Sequence, residues 1–415
     1  MPALGDNGMS GGFVARTASR IRGINPQLRQ FLIGMALLGI AGGMFETTFN
    51  NFLADRFNLS AGARGFLEFP RELPGFLTAL TAGALFFMAE TLVAAAAALC
   101  IGIGMLGLAW WGSGWVPMLA WVTVWSIGSH LIMPVRSSLS MALADPQQRG
   151  RRLGQISGVG SAASIIGCGI VWIAMRYAGA GYGFIFITGG VAALCAVVFF
   201  ARMRMPGAHL QRPKFVWNRR YWLYYVLAFF FGARKQIFIT FGPWVLVKVF
   251  HQPAYIFAQL WIAAGILGVL SQPLLGRAID RFGERAVLMT DSVCIFLVCM
   301  GYGCAHLLPN HTAALALLYV CFVGDQLLFG VNMARDTYMS KIALKPEHLG
   351  PSLSLGITIN HAVSMSVPAF GGWLWMQYGH PSVFIATAGI AVLMFIFTSM
   401  IRLPRAHGTE PGRPM

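Results

Sequence analysis

Twelve apolar stretches run through almost the whole chain, and each is long enough to form a helix that crosses a membrane. The hydrocarbon core of a bilayer is ~30 Å thick, which requires about 20 residues of helix. The segments between these stretches are too short to build a separate soluble core. The sequence therefore predicts one all-α membrane unit with twelve transmembrane helices.

Composition places the chain outside the class of soluble globular proteins. Hydrophobic residues make up 57% and charged residues only 11% of the 415 residues, whereas a soluble domain has about 25% charged residues. A net charge of +16 would indicate nucleic-acid binding in a soluble protein. Here 21 of the 30 Lys and Arg residues fall on one side of the predicted spans, and the other side has only Arg56, Arg64, Arg176 and Lys248. This asymmetry predicts cytoplasmic termini in a bacterial inner membrane and no nucleic-acid partner.

The sequence indicates no cofactor, metal site or cleaved leader. The first apolar run, from Gln30, is longer than the apolar region of a signal peptide and follows a basic segment, so we expect it to be the first span. The seven cysteines lie mainly inside apolar stretches without the spacing of metal ligands. We expect them to be packing residues and not disulfides.

The longest polar interruption divides the predicted spans into two sets of six, so internal repeats are expected. A shift of 189 positions places Gly43 on Gly232 and Glu46 on Lys235. The predicted organisation is a cytoplasmic N-terminal segment, a six-helix bundle, a cytoplasmic central loop, a second six-helix bundle and a cytoplasmic tail, at residues 1–29, 30–204, 205–220, 221–402 and 403–415.

The loop after the eighth predicted span carries the most specific motif. Residues 276–285 read GRAIDRFGER, which resembles the G-x-x-x-D-R-x-G-R-[RK] loop of the major facilitator superfamily, with Glu284 in place of a basic residue. The resemblance implies two pseudo-symmetric six-helix bundles and a transporter that works by alternating access. It also implies that the loop stabilises one conformation at the cytoplasmic ends through Gly276, Asp280, Arg281, Gly283 and Arg285.

Charged residues inside the spans are the candidate functional residues, because a charge at the membrane centre costs at least ~2.5 kcal/mol without a partner or a cavity. Glu46 and Lys235 lie ~24 and ~21 Å from the cytoplasmic ends of their helices, at 1.5 Å per residue. In the superfamily the first, fourth, seventh and tenth helices line the cavity. We therefore expect Glu46 to meet Arg234 or Lys235 as an outer gate or solute clamp, with a fixed ion pair as the alternative. The remaining predicted solute-binding residues are Asn50, Trp125, Asn332 and Asn360.

The second predicted span begins with a cluster of charges. Spacings of three and four place Glu68, Arg71 and Glu72 on one helix face. One Arg does not neutralise two acids, so one carboxyl is a candidate proton carrier. The alternative is a network that braces the helix.

The tenth predicted span has a polar stripe at steps of four, three and four, formed by Asp325, Phe329, Asn332 and Asp336. Buried Asp325 favours the protonated form unless Arg234 or Lys235 is close, which makes it the first candidate for proton coupling. Arg335 and Asp336 lie at the inner end and, with Arg136 as the first-half counterpart of Arg335, are predicted to form a cytoplasmic gate.

Two histidines, His130 and His361, lie inside predicted spans. His361 is a candidate for a proton path, with a hydrogen-bonded packing role as the alternative. We expect His130 to be a packing residue.

Five acids and five bases inside the spans favour a secondary transporter that moves a small polar or amphiphilic solute, anionic or zwitterionic, with protons. We expect it to act as a monomer in the lipid bilayer. The alternatives are a drug or metabolite efflux antiporter, a membrane-embedded enzyme and a transport-inactive receptor. An enzyme is not expected, because no nucleophile, base or metal motif gathers at one interface. The sequence leaves the solute, the direction and the stoichiometry open.

Overall fold

The computed structural model describes residues 25–81, 88–144, 149–205 and 217–402. The predicted N-terminal segment, the middle of the central loop and the C-terminal tail lie outside these residues. The side chains of residues 78–81 and 149–151 are likewise not described.

The first half of the described chain consists of helices joined by short turns. They are α1 Pro26–Phe57, α2 Ala61–Phe66, α3 Glu68–Thr81, α4 Glu90–Trp111, α5 Trp115–Ala142, α6 Arg149–Tyr177 and α7 Tyr182–Ala201.

The second half begins with a 3₁₀ turn at Arg219–Tyr221 and has two more, at Ala305–Leu307 between α9 and α10 and at Phe329–Val331 between α10 and α11. Its helices are α8 Trp222–Lys248, α9 Ala254–Cys304, α10 His311–Leu328, α11 Asn332–Ile342, α12 Pro346–Tyr378 and α13 His380–Ser399.

Local sequence sets the ends of the first helices. The side chain of Asn25 accepts a hydrogen bond from the second residue of α1, and Pro26 occupies the first helical position, where its missing N–H is not needed. The helix ends at Asn58, which adopts a left-handed conformation with φ 46°. Ser60 then caps α2. The chain therefore turns between α1 and α2 within three residues.

Eight helical stretches in the described part of the chain are long and apolar enough to cross a membrane. One of them, Ala254–Leu307, contains two arms separated at Gly283, which has φ 80° and ψ 162°. The other predicted spans correspond to α2 with α3, to α8 and to α12, which carry buried charged and polar groups such as Glu68, Arg234 and His361. The predicted all-α membrane fold is confirmed.

Close backbone approaches join the two halves. A Cβ atom at Gly65 would lie 2.1 Å from the carbonyl oxygen of Pro368, and one at Gly372 would lie 2.6 Å from that of Ala61. Small residues at these positions let α2 pack directly on α12.

The hydrogen bonds between the halves are concentrated toward one end of the bundle. We call the end where α1 begins the terminus side and the end where α1 finishes the far side. At the far side Lys248 Nζ donates to Asn58 at 2.6 Å, and Asn51 Nδ2 donates to the carbonyl of Gln252 at 2.8 Å. Among the described residues, no hydrogen bond or ion pair joins the halves at the terminus side. The halves are therefore closed at the far side.

Candidate functional site

A cavity of about 700 Å³ lies between the two halves. It is lined by α1, α3, α4, α5 and α6 from the first half and by α8, α9, α10 and α12 from the second. Exposed Arg136 and Ser157 form part of its wall toward the terminus side. The titratable residues on its wall are Glu46, Arg71, Glu72, His130, Arg136, Lys235 and His361.

Glu68 is the centre of a buried ion-pair network beneath the cavity. Arg64 binds one of its oxygens and Arg71 Nε binds the other at 2.6 Å. Gln236 from the second half also donates to Oε2, at 2.7 Å. Arg64 reaches Asn50 Oδ1 at 3.0 Å with its Nε. Two cations and an amide thus satisfy one fully buried carboxylate.

The position of Arg64 differs from the one predicted from sequence at the start of the second span. The sequence placed it among the residues outside the membrane, but only 1% of it is exposed. Its spacing of four from Glu68 would have indicated a contact if the helix had been started earlier. The excess negative charge expected of Glu68, Arg71 and Glu72 is therefore offset by a second arginine.

Glu72 divides its two oxygens between different partners. Oε1 lies 3.5 Å from Arg71 Nη2. Oε2 lies 3.0 Å from His361 Nδ1 on the second half and 3.8 Å from His130 Nε2 on α5. His130 therefore does more than pack: it contacts a charged cavity residue.

Glu46 faces the cavity without a fixed partner. It is half-buried on α1 and lines the wall, and within the described ranges it makes no hydrogen bond and no ion pair. The expected pairing with Arg234 or Lys235 is not formed. Lys235 Nζ instead donates to Asn360 Oδ1 at 2.9 Å.

Arg234 is fully buried inside the second half and is not part of the cavity wall. Its Nη1 lies 3.0 Å from Asp325 Oδ1, and its Nη2 donates to the carbonyl of Leu328 at 3.1 Å and lies 4.0 Å from Asp291. The guanidinium carbon lies 5.1 Å from the ring centre of Phe231. In this structure Arg234 therefore does not face the cavity, and its contact with solute stays a prediction. Asp291 was not among the residues predicted from sequence.

The remaining predicted solute-site residues occupy different places. Trp125 lines the cavity and stacks on Phe45 with ring centres 3.7 Å apart. Asn332 donates to Asp336 at 3.2 Å. With Arg335 it lines a second cavity of about 20 Å³. Asn332 therefore does not reach the main cavity.

The loop between the two arms of α9 is exposed at the terminus side. Asp280, Arg281 and Arg285 are solvent-exposed and make no ion pair with any residue that the structure describes. Glu284, the residue that departs from the motif, is buried and forms an ion pair with Lys341 at 2.6 Å. The gating role of this loop, including Gly276 and Gly283, stays a prediction.

Comparison with known proteins agrees with this architecture. The family model of the Major Facilitator Superfamily matches residues 31–343. No curated protein matches the chain.

Three solved structures illustrate the likeness. The nucleoside transporter NupG superposes with a TM-score of 0.71 at 15% identity, covering 91% of this chain and 100% of that one. A D-xylose-proton symporter gives 0.68 at 15% identity, covering 90% and 96%. A bacterial homolog of the human lysosomal transporter Spinster, inward-facing and occupied, gives 0.67 at 16% identity, covering 89% and 95%. At these identities the likeness shows the fold, and because the family model covers more than half of the sequence, the chain belongs to the Major Facilitator Superfamily.

Proposed function

We propose that this transporter moves a small zwitterionic solute by alternating access, coupled to protons. The cavity is the solute site, and its volume of about 700 Å³ lies within the range of small-molecule sites.

One observation carries the proposal. Glu46 and Lys235 line the cavity from opposite halves, and neither forms an ion pair with a described residue. A solute with an ammonium and a carboxylate group supplies both missing partners at once. It also bridges the halves, which is how solute binding is coupled to their movement.

Glu46 is the proposed coupling carboxylate. It faces the cavity, and within the described ranges it makes no hydrogen bond and no ion pair. Asp325, the first candidate from sequence, lies 3.0 Å from Arg234 inside the second half and does not line the cavity. We propose that Asp325 serves as the partner of Arg234 and that Glu72 with His361 links protonation to the contact between halves.

The charge asymmetry supports a cytoplasmic terminus side, in a bacterial inner membrane. The structure then corresponds to an inward-facing state, closed by the contacts of Lys248 and Asn51 at the far side. Transport requires these contacts to open while the loop of Asp280 and Arg281 closes the other end.

A second solute class has one observation in its favour. Trp125 presents an indole stacked on Phe45 at the cavity wall, and such a surface accommodates a ring. A nucleoside is therefore the alternative solute, and the NupG structure shows that the fold accommodates a nucleoside transporter.

The melting temperature of the purified protein, measured in the presence of amino acids, betaines, nucleosides and pentoses in turn, identifies the class of solute. A ligand of the folded state raises the melting temperature. Counterflow in proteoliposomes then tests movement of the hit. We expect a zwitterion to stabilise the protein and Glu46→Gln and Lys235→Gln to abolish the effect. Exposed Glu347 and Lys345 provide the matched controls Glu347→Gln and Lys345→Gln. Equal stabilisation by a nucleoside in all four variants would contradict the zwitterion site.

A further inference from the structure

Glu72, His130 and His361 bring three metal-binding atoms together in the described part of the cavity wall. Glu72 Oε2, His130 Nε2 and His361 Nδ1 all lie within 4.8 Å of one another. Their residues are 6%, 7% and 8% exposed, so the group is shielded from bulk solvent while still facing the cavity. Glu72 and His361 are separated by 289 positions in sequence, which is why no spacing motif indicated the cluster.

The orientation of the His130 ring is fixed by hydrogen bonds on its other nitrogen. Nδ1 lies 2.9 Å from the carbonyl oxygen of Ser126 and 3.0 Å from its Oγ. Ser126 Oγ gives its own proton to the carbonyl of Arg71, so both Ser126 oxygens act as acceptors toward His130. The ring therefore carries its proton on Nδ1, the arrangement found for metal-binding histidines.

The Nε2 lone pair of His130 consequently points at another lone-pair atom. It faces Glu72 Oε2 at 3.8 Å, and in the neutral ring neither atom carries a hydrogen. A cation between the two atoms resolves this contact. Arg71 holds the other carboxylate oxygen of Glu72 at 3.5 Å, which leaves Oε2 available as a single ligand.

Two of the three distances between the ligand atoms are close to those around a small divalent ion, and the third is within 4.8 Å. Ligands about 2.0 to 2.1 Å from Zn²⁺ at tetrahedral angles lie ~3.4 Å apart. The contacts of Glu72 Oε2 with His361 Nδ1 and His130 Nε2, at 3.0 and 3.8 Å, bracket this value.

Packing also leaves space for both rings. A Cβ atom at Gly75 would lie 2.7 Å from His130 Nε2 and 2.7 Å from His361 Nδ1. Glycine at this position, three residues after Glu72, allows the imidazoles to approach the carboxylate.

We propose that Glu72, His130 and His361 form a binding site for a divalent transition metal such as Zn²⁺, and that the ion clamps the two halves in this conformation. Two imidazole nitrogens and one carboxylate oxygen are the ligands of borderline ions and not of Mg²⁺ or Ca²⁺. His361 binds through Nδ1 in the tautomer that has its proton on Nε2, so the site has one negative charge. Because His361 belongs to the second half and the other two ligands to the first, the bound ion opposes the separation that transport needs.

The test uses the full-length protein without an affinity tag, titrated with ZnCl₂ or MgCl₂. We expect Zn²⁺, and not Mg²⁺, to raise the melting temperature by about 5 °C at saturation. His361→Gln and His130→Gln should each abolish the rise. His306 and His380, whose rings are 5.9 Å apart outside the cavity, supply the control His306→Gln, which should retain it. If His361→Gln does not give a monodisperse protein, the melting temperature of His130→Gln with and without Zn²⁺ tests the proposal.

The clamp itself is tested by distance. Spin labels at positions 56 and 249, on the far side of each half, should show a single short distance with Zn²⁺ in an otherwise cysteine-free protein. His361→Gln should remove this effect of Zn²⁺. The proposal would be overturned if Zn²⁺ raised the melting temperature equally in wild type and in both cavity variants, or did not raise it in wild type. It would also be overturned if the melting temperature rose but the two spin labels did not show a single short distance. These readouts do not involve the transported solute, so they are independent of the proposed function.

Discussion

Gln236 on α8 donates a 2.7 Å hydrogen bond to Glu68 on α3, and both side chains are fully buried. This bond joins the two halves beside the cavity. A hydrogen bond to a charged group contributes about 1.5 to 3 kcal/mol, so it is strong enough to bias the equilibrium between conformations.

We predict that Gln236→Leu shifts this transporter toward the conformation that is open at the far side. Loss of about 2 kcal/mol from the closed state corresponds to roughly a 30-fold change in the population ratio. Spin-label distances across the far side measure the shift. Gln27→Leu is the control, because Gln27 bonds to Arg204 within one half. An unchanged distance distribution in Gln236→Leu would show that the bond does not differ in energy between states.

Arg64 and Arg56 lie close together in sequence but differ in burial. Arg64 is 1% exposed and bonds to Glu68, whereas Arg56 is exposed. We predict that Arg64→Ala lowers the free energy of unfolding by about 3 kcal/mol, since it leaves part of a buried network unpaired. Arg56→Ala should change it by less than about 1 kcal/mol. Denaturant unfolding in detergent compares the two, and equal losses would contradict the buried network.

Substitutions of Glu46 and Glu68 should affect different properties, transport at Glu46 and stability at Glu68. Glu46→Gln removes no described partner, so the melting temperature should stay the same or rise, while proton-driven accumulation of solute should be abolished. Glu68→Gln breaks contacts with two arginines and should lower the melting temperature. Proteoliposome uptake and thermal unfolding test both variants. A lower melting temperature in Glu46→Gln would reveal a structural partner.

Gly283 is required for the bend between the two arms of α9. Its φ of 80° is unfavourable for a residue with a Cβ, although a Cβ there would meet no atom within 4 Å. Gly283→Ala should therefore lower the free energy of unfolding by about 1 to 2 kcal/mol through backbone strain alone. Gly268→Ala, in the same helix and also in open space, should be neutral or stabilising by up to about 1 kcal/mol. Equal effects would contradict the predicted backbone strain at position 283.

The fold followed from sequence because membrane helices depend on local hydrophobicity. Contacts between residues three and four apart were accessible in the same way: Arg71 contacts Glu68, three positions earlier, as the helical spacing predicts. The contacts of Gln236 with Glu68 and of His361 with Glu72 bridge helices that lie far apart in the chain. No local pattern encodes such pairs.

Neighbouring Arg234 and Lys235 illustrate the limit of the repeat argument. Alignment of the halves indicated that Glu46 would meet one of them, but successive residues on a helix point about 100° apart. Arg234 turns into the second half toward Asp325, and Lys235 turns toward the cavity. Which of two adjacent charges faces a partner depends on the rotation of the whole helix, which is set by packing.

Arg234 and Asp325 allow a structural role to be distinguished from a role in coupling. Asp325→Leu leaves the guanidinium buried, and the one described carboxylate still near it is Asp291 at 4.0 Å, so the free energy of unfolding should fall by about 3 kcal/mol. The double variant Arg234→Met/Asp325→Leu removes both charges and should recover most of that loss. If the pair is structural, the double variant also accumulates solute against a gradient in proteoliposomes. A stable double variant that exchanges solute but no longer concentrates it would instead make Asp325 a coupling residue.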